Sequence, residues 1–85
     1  MEIRFSKPIG SEVGTLYRVS RNAGCEARLT SANGRRVRFT LATDEPGHDR
    51  VIRALLTLDP DATVRTARAV YEGLEDFERQ FAARR

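Results

Sequence analysis

Arginine is the residue type with the most evident chemistry in this chain, which holds fourteen Arg and one Lys. A guanidinium presents five N–H donors in a planar fork that suits carboxylate and phosphate oxygens. Arg18, Arg28 and Arg38 recur at intervals of ten residues, Arg36 and Thr30 fall between them, and Thr40 follows. If consecutive hairpin strands carry the three arginines, they lie opposite one another, with strands about 4.8 Å apart. Such a row would bind anions, either phosphates or the carboxylates of a protein surface. Like charges directly opposite cost up to about 1 kcal/mol, so the row needs a ligand or a screening acid. Glu26, diagonal to Arg18 and Arg38, would be that screen if the arginines are only a solvated face.

Other chemistry is sparse. His48 is the only histidine and Cys25 the only cysteine. Two such residues in different elements do not assemble a zinc site of ordinary ligand spacing. His48 follows Gly47 near an expected helix start, where a capping role suits it better than catalysis. Cys25 falls on an apolar strand face and reads as a small core residue. No Gly-rich phosphate loop precedes a helix. Asp44, Glu45, Asp49, Asp59 and Asp61 cluster at expected helix starts, where caps and dipoles account for them. Neither catalytic residues nor a metal, cofactor or small-molecule substrate is expected.

The elements that would position the arginines follow from turn residues and period. Asn22-Ala23-Gly24 and Ala32-Asn33-Gly34 each end in Gly, which accepts the positive φ of a three-residue hairpin loop. Strands at about 15–21, 25–31 and 35–42 result. Leu29 then faces Val37, Ala27 faces Phe39 and Leu41, two residues on, faces Cys25. Val19 faces Ala27 across the first hairpin, and Tyr17 faces Leu29. Arg18, Arg28 and Arg38 share the other face. Residues 2–6, EIRFS, alternate as a fourth strand; pairing of Phe5 with Tyr17 would add Arg4 to the row.

After Ala42 the period changes. Val51, Ile52, Leu55 and Leu56 recur at helical spacing after the TDEPG start. Asp59-Pro60 suits an N-cap followed by the first helical position. A second helix from about Pro60 to Ala83 would carry Val64, Ala67, Val70, Tyr71, Leu74, Phe77 and Phe81 as its apolar stripe. Mid-helix Gly73 costs about 1 kcal/mol relative to Ala and implies a close approach. The expected architecture is α+β: a four-stranded antiparallel meander sheet with two C-terminal α-helices packed on one face, a single domain over residues 1–85.

Composition narrows the class. Eighty-five residues with 40% hydrophobic content suit one small domain. No apolar run approaches the roughly 20 residues of a membrane span, and the N-terminal MEIRFSKPIG lacks the pattern of a signal peptide. A single Cys suits a reducing compartment, so a cytoplasmic location without membrane association is expected. Residues 1–43 carry eight basic and three acidic side chains, and residues 44–85 seven and nine. The positive charge therefore follows the strands.

In strand order, in the Asn-Gly turn of TSANGRRVRF and in its arginines, residues 15 to about 58 resemble the small sheet-plus-helix DNA-binding domains of plant ethylene-response factors and integrase arm-binding domains. VRFTLA followed by two helices also resembles the strand-helix-helix plan of ribbon-helix-helix repressors. Both resemblances imply duplex recognition through strands, and the ribbon-helix-helix plan implies that Arg36, Arg38 and Thr40 read the groove. The face lacks an aromatic for base stacking. The function expected first is a small non-catalytic interaction module, a protein-binding accessory or inhibitor protein that meets an acidic protein surface. The alternative is a double-stranded DNA-binding module using the Arg18/Arg28/Arg38 row.

Overall fold

The computed structural model describes residues 1–84. In chain order the elements are β1 (Glu2–Arg4), α1 (Glu12–Asn22), β2 (Glu26–Asn33), β3 (Arg36–Ala42), α2 (Glu45–Leu58), β4 (Thr63–Arg65), β5 (Val70–Glu72) and α3 (Leu74–Ala83). The α+β class stands, but the four-stranded meander with two C-terminal helices is replaced by a five-stranded antiparallel sheet of order β2-β3-β1-β4-β5, with three helices interspersed. β1 and β2 run parallel with β3 between them, and β3 and β4 run parallel with β1 between them. These are two interleaved split βαβ units.

The largest departure is α1, which occupies the segment expected as the first strand of the meander. Ser11 caps its start, its Oγ accepting from the Gly14 N–H at 3.1 Å. Glu12 in the first turn and Arg21 in the last complement the helix dipole. Gly24 does adopt positive φ, at 74°. It serves a helix end, however, not a hairpin: Cys25 N–H donates to Ser20 O at 2.8 Å and Gly24 N–H to Arg21 O at 3.0 Å. This pair of bonds is a Schellman motif, which requires the same left-handed residue. Leu16 and Val19, one turn apart, enter the core.

The β2–β3 hairpin exists, with its register three residues from the expected one at the turn and two beyond a bulge. Its loop is Gly34-Arg35, flanked by the Asn33↔Arg36 pair, and Gly34 has φ 61°. Positive φ at the first loop position alone matches the two-residue II′ turn. That register, carried unbroken along the strands, would set Leu29 against Thr40. A bulge at Thr30 restores Leu29↔Phe39 and Ala27↔Leu41. Apolar pairing thus fixes the register through one extra residue. β1 pairs with β3 and β4 instead of the 15–21 segment, Ile3 lying between Val37 and Val64.

Residues 60–72 are the third correction. The long second helix is a β4–β5 hairpin followed by α3. Val64 and Tyr71 are seven apart, which puts them on one helix face, but they are also cross-strand partners. Thr66 Oγ1 accepts from the Arg68 and Ala69 N–H groups and shapes the turn between the strands. Asp59 does not begin a helix. It ends α2, is 1% exposed, and accepts from Ser6 N–H at 2.7 Å and Ser6 Oγ–H at 2.6 Å. Gly73 has φ 98°, and a Cβ there would stand 2.7 Å from the Pro60 carbonyl oxygen. The close approach is to the turn after α2.

One sheet face and the helices share a contiguous core that includes Phe5, Phe39, Leu55, Tyr71 and Phe77. α1 lies by β2, α3 by β5, and α2 touches both helices. Cys25 is part of that core. No helix among the described residues is long and apolar enough to cross a membrane.

Candidate interaction surface

Because all three helices pack against one side of the sheet, the opposite side is uncovered. Strand alternation decides what it carries. Val37, Phe39 and Leu41 of β3 point into the core, so Arg36, Arg38 and Thr40 point out. Register carries this across the sheet: Arg38 lies beside Glu2, which lies beside Arg65, and Arg36 lies beside Arg4, which lies beside Thr63. Arg28 stands opposite Thr40 and Glu26 opposite Ala42. The open face therefore holds Arg4, Arg28, Arg36, Arg38 and Arg65 against Glu2, Glu26 and Glu72.

Its electrostatics centre on Glu2. Glu2 Oε1 faces Arg36 Nε at 3.2 Å and Oε2 accepts from Arg38 Nε at 3.0 Å. One carboxylate thus screens two guanidiniums. Arg4, Arg28 and Arg65 form no ion pair among the described residues. Arg4 lies directly opposite Arg36, a like-charge placement that opposes folding slightly.

The sites expected from sequence are divided by the fold. Arg4, Arg28, Arg36, Arg38 and Thr40 share the open face. Thr30 sits at the bulge and is exposed. Arg18 is on the exposed side of α1, in the helical layer, so the Arg18/Arg28/Arg38 row is not formed. Arg28 faces Thr40, not Arg38. The screen is Glu2 in place of Glu26. Arg65 joins the surface although the sequence pattern places it on a helix. The alternation of Thr63, Arg65 and the exposed Val70 and Glu72 around Val64 and Tyr71 was the available signal.

Helix side chains cap backbone groups on both sheet edges. On β2, the Leu29 N–H donates to the Tyr17 hydroxyl of α1 at 3.2 Å, next to the bulge. On β5, Glu72 N–H donates to Asp76 Oδ2 at 2.8 Å, and Gln80 Nε2–H donates to Val70 O at 3.1 Å. Asp76 and Gln80 are one helical turn apart and also bond each other at 3.0 Å. The Glu72 amide, then Gln80, hold the Asp76 carboxyl below its ordinary pKa. Capped edges and a bulge suppress strand addition.

A cleft of ≈ 680 Å³ opens between the start of α2, the 66–69 turn and the end of α3. Leu41, Ile52 and Ala69 give it apolar walls, and Tyr71 lines it. At its rim Glu45 Oε1 accepts from Arg68 Nη1 at 3.1 Å and from Arg84 Nη1 at 3.3 Å. Arg84 Nη2 donates to Asp49 Oδ1 at 2.9 Å, a bond that raises the Arg84 pKa against the opposing effect of burial. His48 also lines the cleft, its Nδ1–H donating to the Asp44 carbonyl at 2.8 Å. No group of three or more His, Cys, Asp or Glu among the described residues is placed to hold a metal ion.

Compared with family models, curated proteins and solved structures, the chain matches none.

Proposed function

We propose that this chain is a non-catalytic interaction module, an accessory or inhibitor protein, that meets an acidic protein surface through its open sheet face. The observation that carries this reading is the composition of that face. Among the described residues, Arg4, Arg28 and Arg65 stand without ion partners beside a Glu2-centred pair of bridges, on a sheet side that no described helix covers. Edge pairing, the other route by which a small sheet binds protein, is opposed on β5 by the Asp76 and Gln80 caps and on β2 by the bulge beside the Tyr17 cap. Glu2, Glu26 and Glu72 on the same face favour a partner of mixed charge, as protein surfaces are, over a uniformly anionic backbone.

Duplex nucleic acid is the second reading, favoured by the opposition of Arg36 to Arg4, which forms no ion pair among the described residues. A backbone phosphate between them would satisfy both guanidiniums. Two experiments separate the readings. One is titration with a random-sequence duplex at two salt concentrations, with amide shifts mapped. The other is capture from lysate with wild type and an Arg4→Ala, Arg65→Ala variant side by side. The protein reading expects a partner retained by wild type and lost by the variant, with no shifts from duplex. Shifts confined to the helical layer would exclude the face in both.

A further inference from the structure

We propose that the cleft between α2, the 66–69 turn and α3 binds a small organic monocarboxylate, its apolar body against Leu41 and Ile52 and its carboxylate at Arg68 and the Tyr71 hydroxyl. The cleft's ≈ 680 Å³ falls within the range of sites for small organic ligands, about 300–1,000 Å³.

The sign of the ligand follows from the hydrogen-bond inventory. Each rim carboxylate already holds a guanidinium: Glu45 Oε1 takes two and Asp49 Oδ1 takes one. The donors are in surplus. Arg68 engages a single nitrogen, toward Glu45, of a group with five N–H donors, and its side chain is 81% exposed. Tyr71 is 5% exposed, its ring packs edge-on to Phe77 at 5.0 Å, and it lines the cleft. Its hydroxyl has no hydrogen-bond partner among the described residues. The ring is buried, but the hydroxyl is not among the buried unpaired atoms, so it opens to the cleft and can donate to a ligand. Surplus donors ask for an acceptor from the ligand, and an anionic acceptor matches Arg68 best.

The number of charges follows as well. Arg84 is held by both Asp49 and Glu45, whereas Arg68 makes a single bond to a Glu45 oxygen shared with Arg84, so Arg68 has the greater capacity for a new charge. A dianion, phosphate included, would bring its second charge against Glu45 and Asp49. The apolar lining then selects acids with a hydrocarbon or aromatic body over small hydrophilic ones.

The test is a titration of the full chain, followed by amide and methyl shifts, with phenylacetate and octanoate as carboxylates and phenethylamine and 2-phenylethanol as cationic and neutral counterparts. Shifts at Ile52, Ala69 and Tyr71 are expected with at least one carboxylate, saturating with Kd of about 1 mM or tighter. Arg68→Ala should weaken binding about tenfold and Tyr71→Phe severalfold, as loss of a hydrogen bond to a charged group does. Arg4→Ala, on the other side of the sheet, should have no effect. Arg68 is exposed, so its replacement leaves the fold in place. The proposal is overturned if neither carboxylate shifts these residues at about 10 mM, if phenethylamine binds as tightly, or if Arg68→Ala binds like wild type.

Discussion

Asp76 reaches back across the start of α3 to accept the backbone N–H of Glu72 at 2.8 Å. With Gln80 on the Val70 carbonyl, this contact turns the outer edge of β5 from a template for pairing into a closed rim. β5 has three residues and one strand neighbour. Its polar backbone groups would otherwise depend on water or another chain. Asp76→Ala combined with Gln80→Ala should therefore raise self-association. Sedimentation velocity across a concentration series would show it, and a strictly monomeric double variant would contradict the edge role.

The same contact gives a pH dependence. The Asp76 carboxyl is held below its ordinary pKa of 3.8, first by the Glu72 amide and then by Gln80. A carboxyl lowered on folding stabilises the native state above its unfolded pKa, and that contribution disappears as pH falls through the folded value. Asp76→Asn should flatten the acid limb of stability below pH about 4. Urea midpoints measured against pH for both proteins would check this. Parallel acid limbs in the two would refute it.

Ser20 is 1% exposed and its Oγ has no hydrogen-bond partner among the described residues. A buried hydroxyl left unpaired costs about 1–3 kcal/mol, and Ala is the better helix former. Ser20→Ala should stabilise the chain by about 1 kcal/mol or more in chemical denaturation. The Ser20 carbonyl, which ends α1 by accepting from Cys25 N–H, is unaffected by the change.

How much of this was legible in the sequence is clearest at the glycines and at Val64. Positive φ at Gly24 and Gly34 follows from their residue type. Whether Gly24 closes a hairpin or ends a helix does not, because both need the same dihedral. Ser11 before Glu12 was the local sign of a helix start. Val64 and Tyr71 fit a helix face and a hairpin pair equally well, since seven residues satisfy both geometries. The outward face of β3 was fixed by alternation alone, so Arg36, Arg38 and Thr40 were found. Glu2 as the screening acid depends on β1 lying beside β3, a long-range pairing that no local pattern encodes. Arg65 depends on the β4–β5 hairpin in the same way.

Asp59 ties the end of α2 to the chain leaving β1. Both its oxygens accept from Ser6, at 2.7 and 2.6 Å, although 53 residues separate the two. Asp59→Ala would leave the Ser6 amide without its acceptor and remove two bonds to a charged group. A loss of about 3 kcal/mol is expected, a large share of the stability of a small domain. Asp59→Asn keeps one oxygen acceptor and should cost less. Equal stability of Asp59→Ala and wild type in denaturant titration would show the bond pair to be incidental.

Arg18, on the exposed side of α1, is separated by the fold from the arginines of the open face. If the open face binds a polyanion, Arg28 and Arg4 release counterions on binding, and Arg18, on α1, does not. In a duplex titration, Arg28→Ala and Arg4→Ala should each reduce the slope of log K against log salt by about 0.9. Arg18→Ala should leave slope and affinity unchanged. Glu2→Gln should act in the opposite direction, because it frees Arg36 and Arg38 from their 3.2 and 3.0 Å bridges. Binding should tighten and its salt dependence steepen. Folding should tolerate all of these changes, since exposed ion pairs contribute about 1 kcal/mol or less, and Arg4→Ala also relieves its opposition to Arg36. If Arg18→Ala weakens binding as much as Arg28→Ala does, the helical side carries the contact and the open face does not. A flat duplex titration at about 50 mM salt leaves the face to an acidic protein. In that case the same variants, tested on the captured partner, should show Arg28 and Arg4 necessary and Arg18 dispensable.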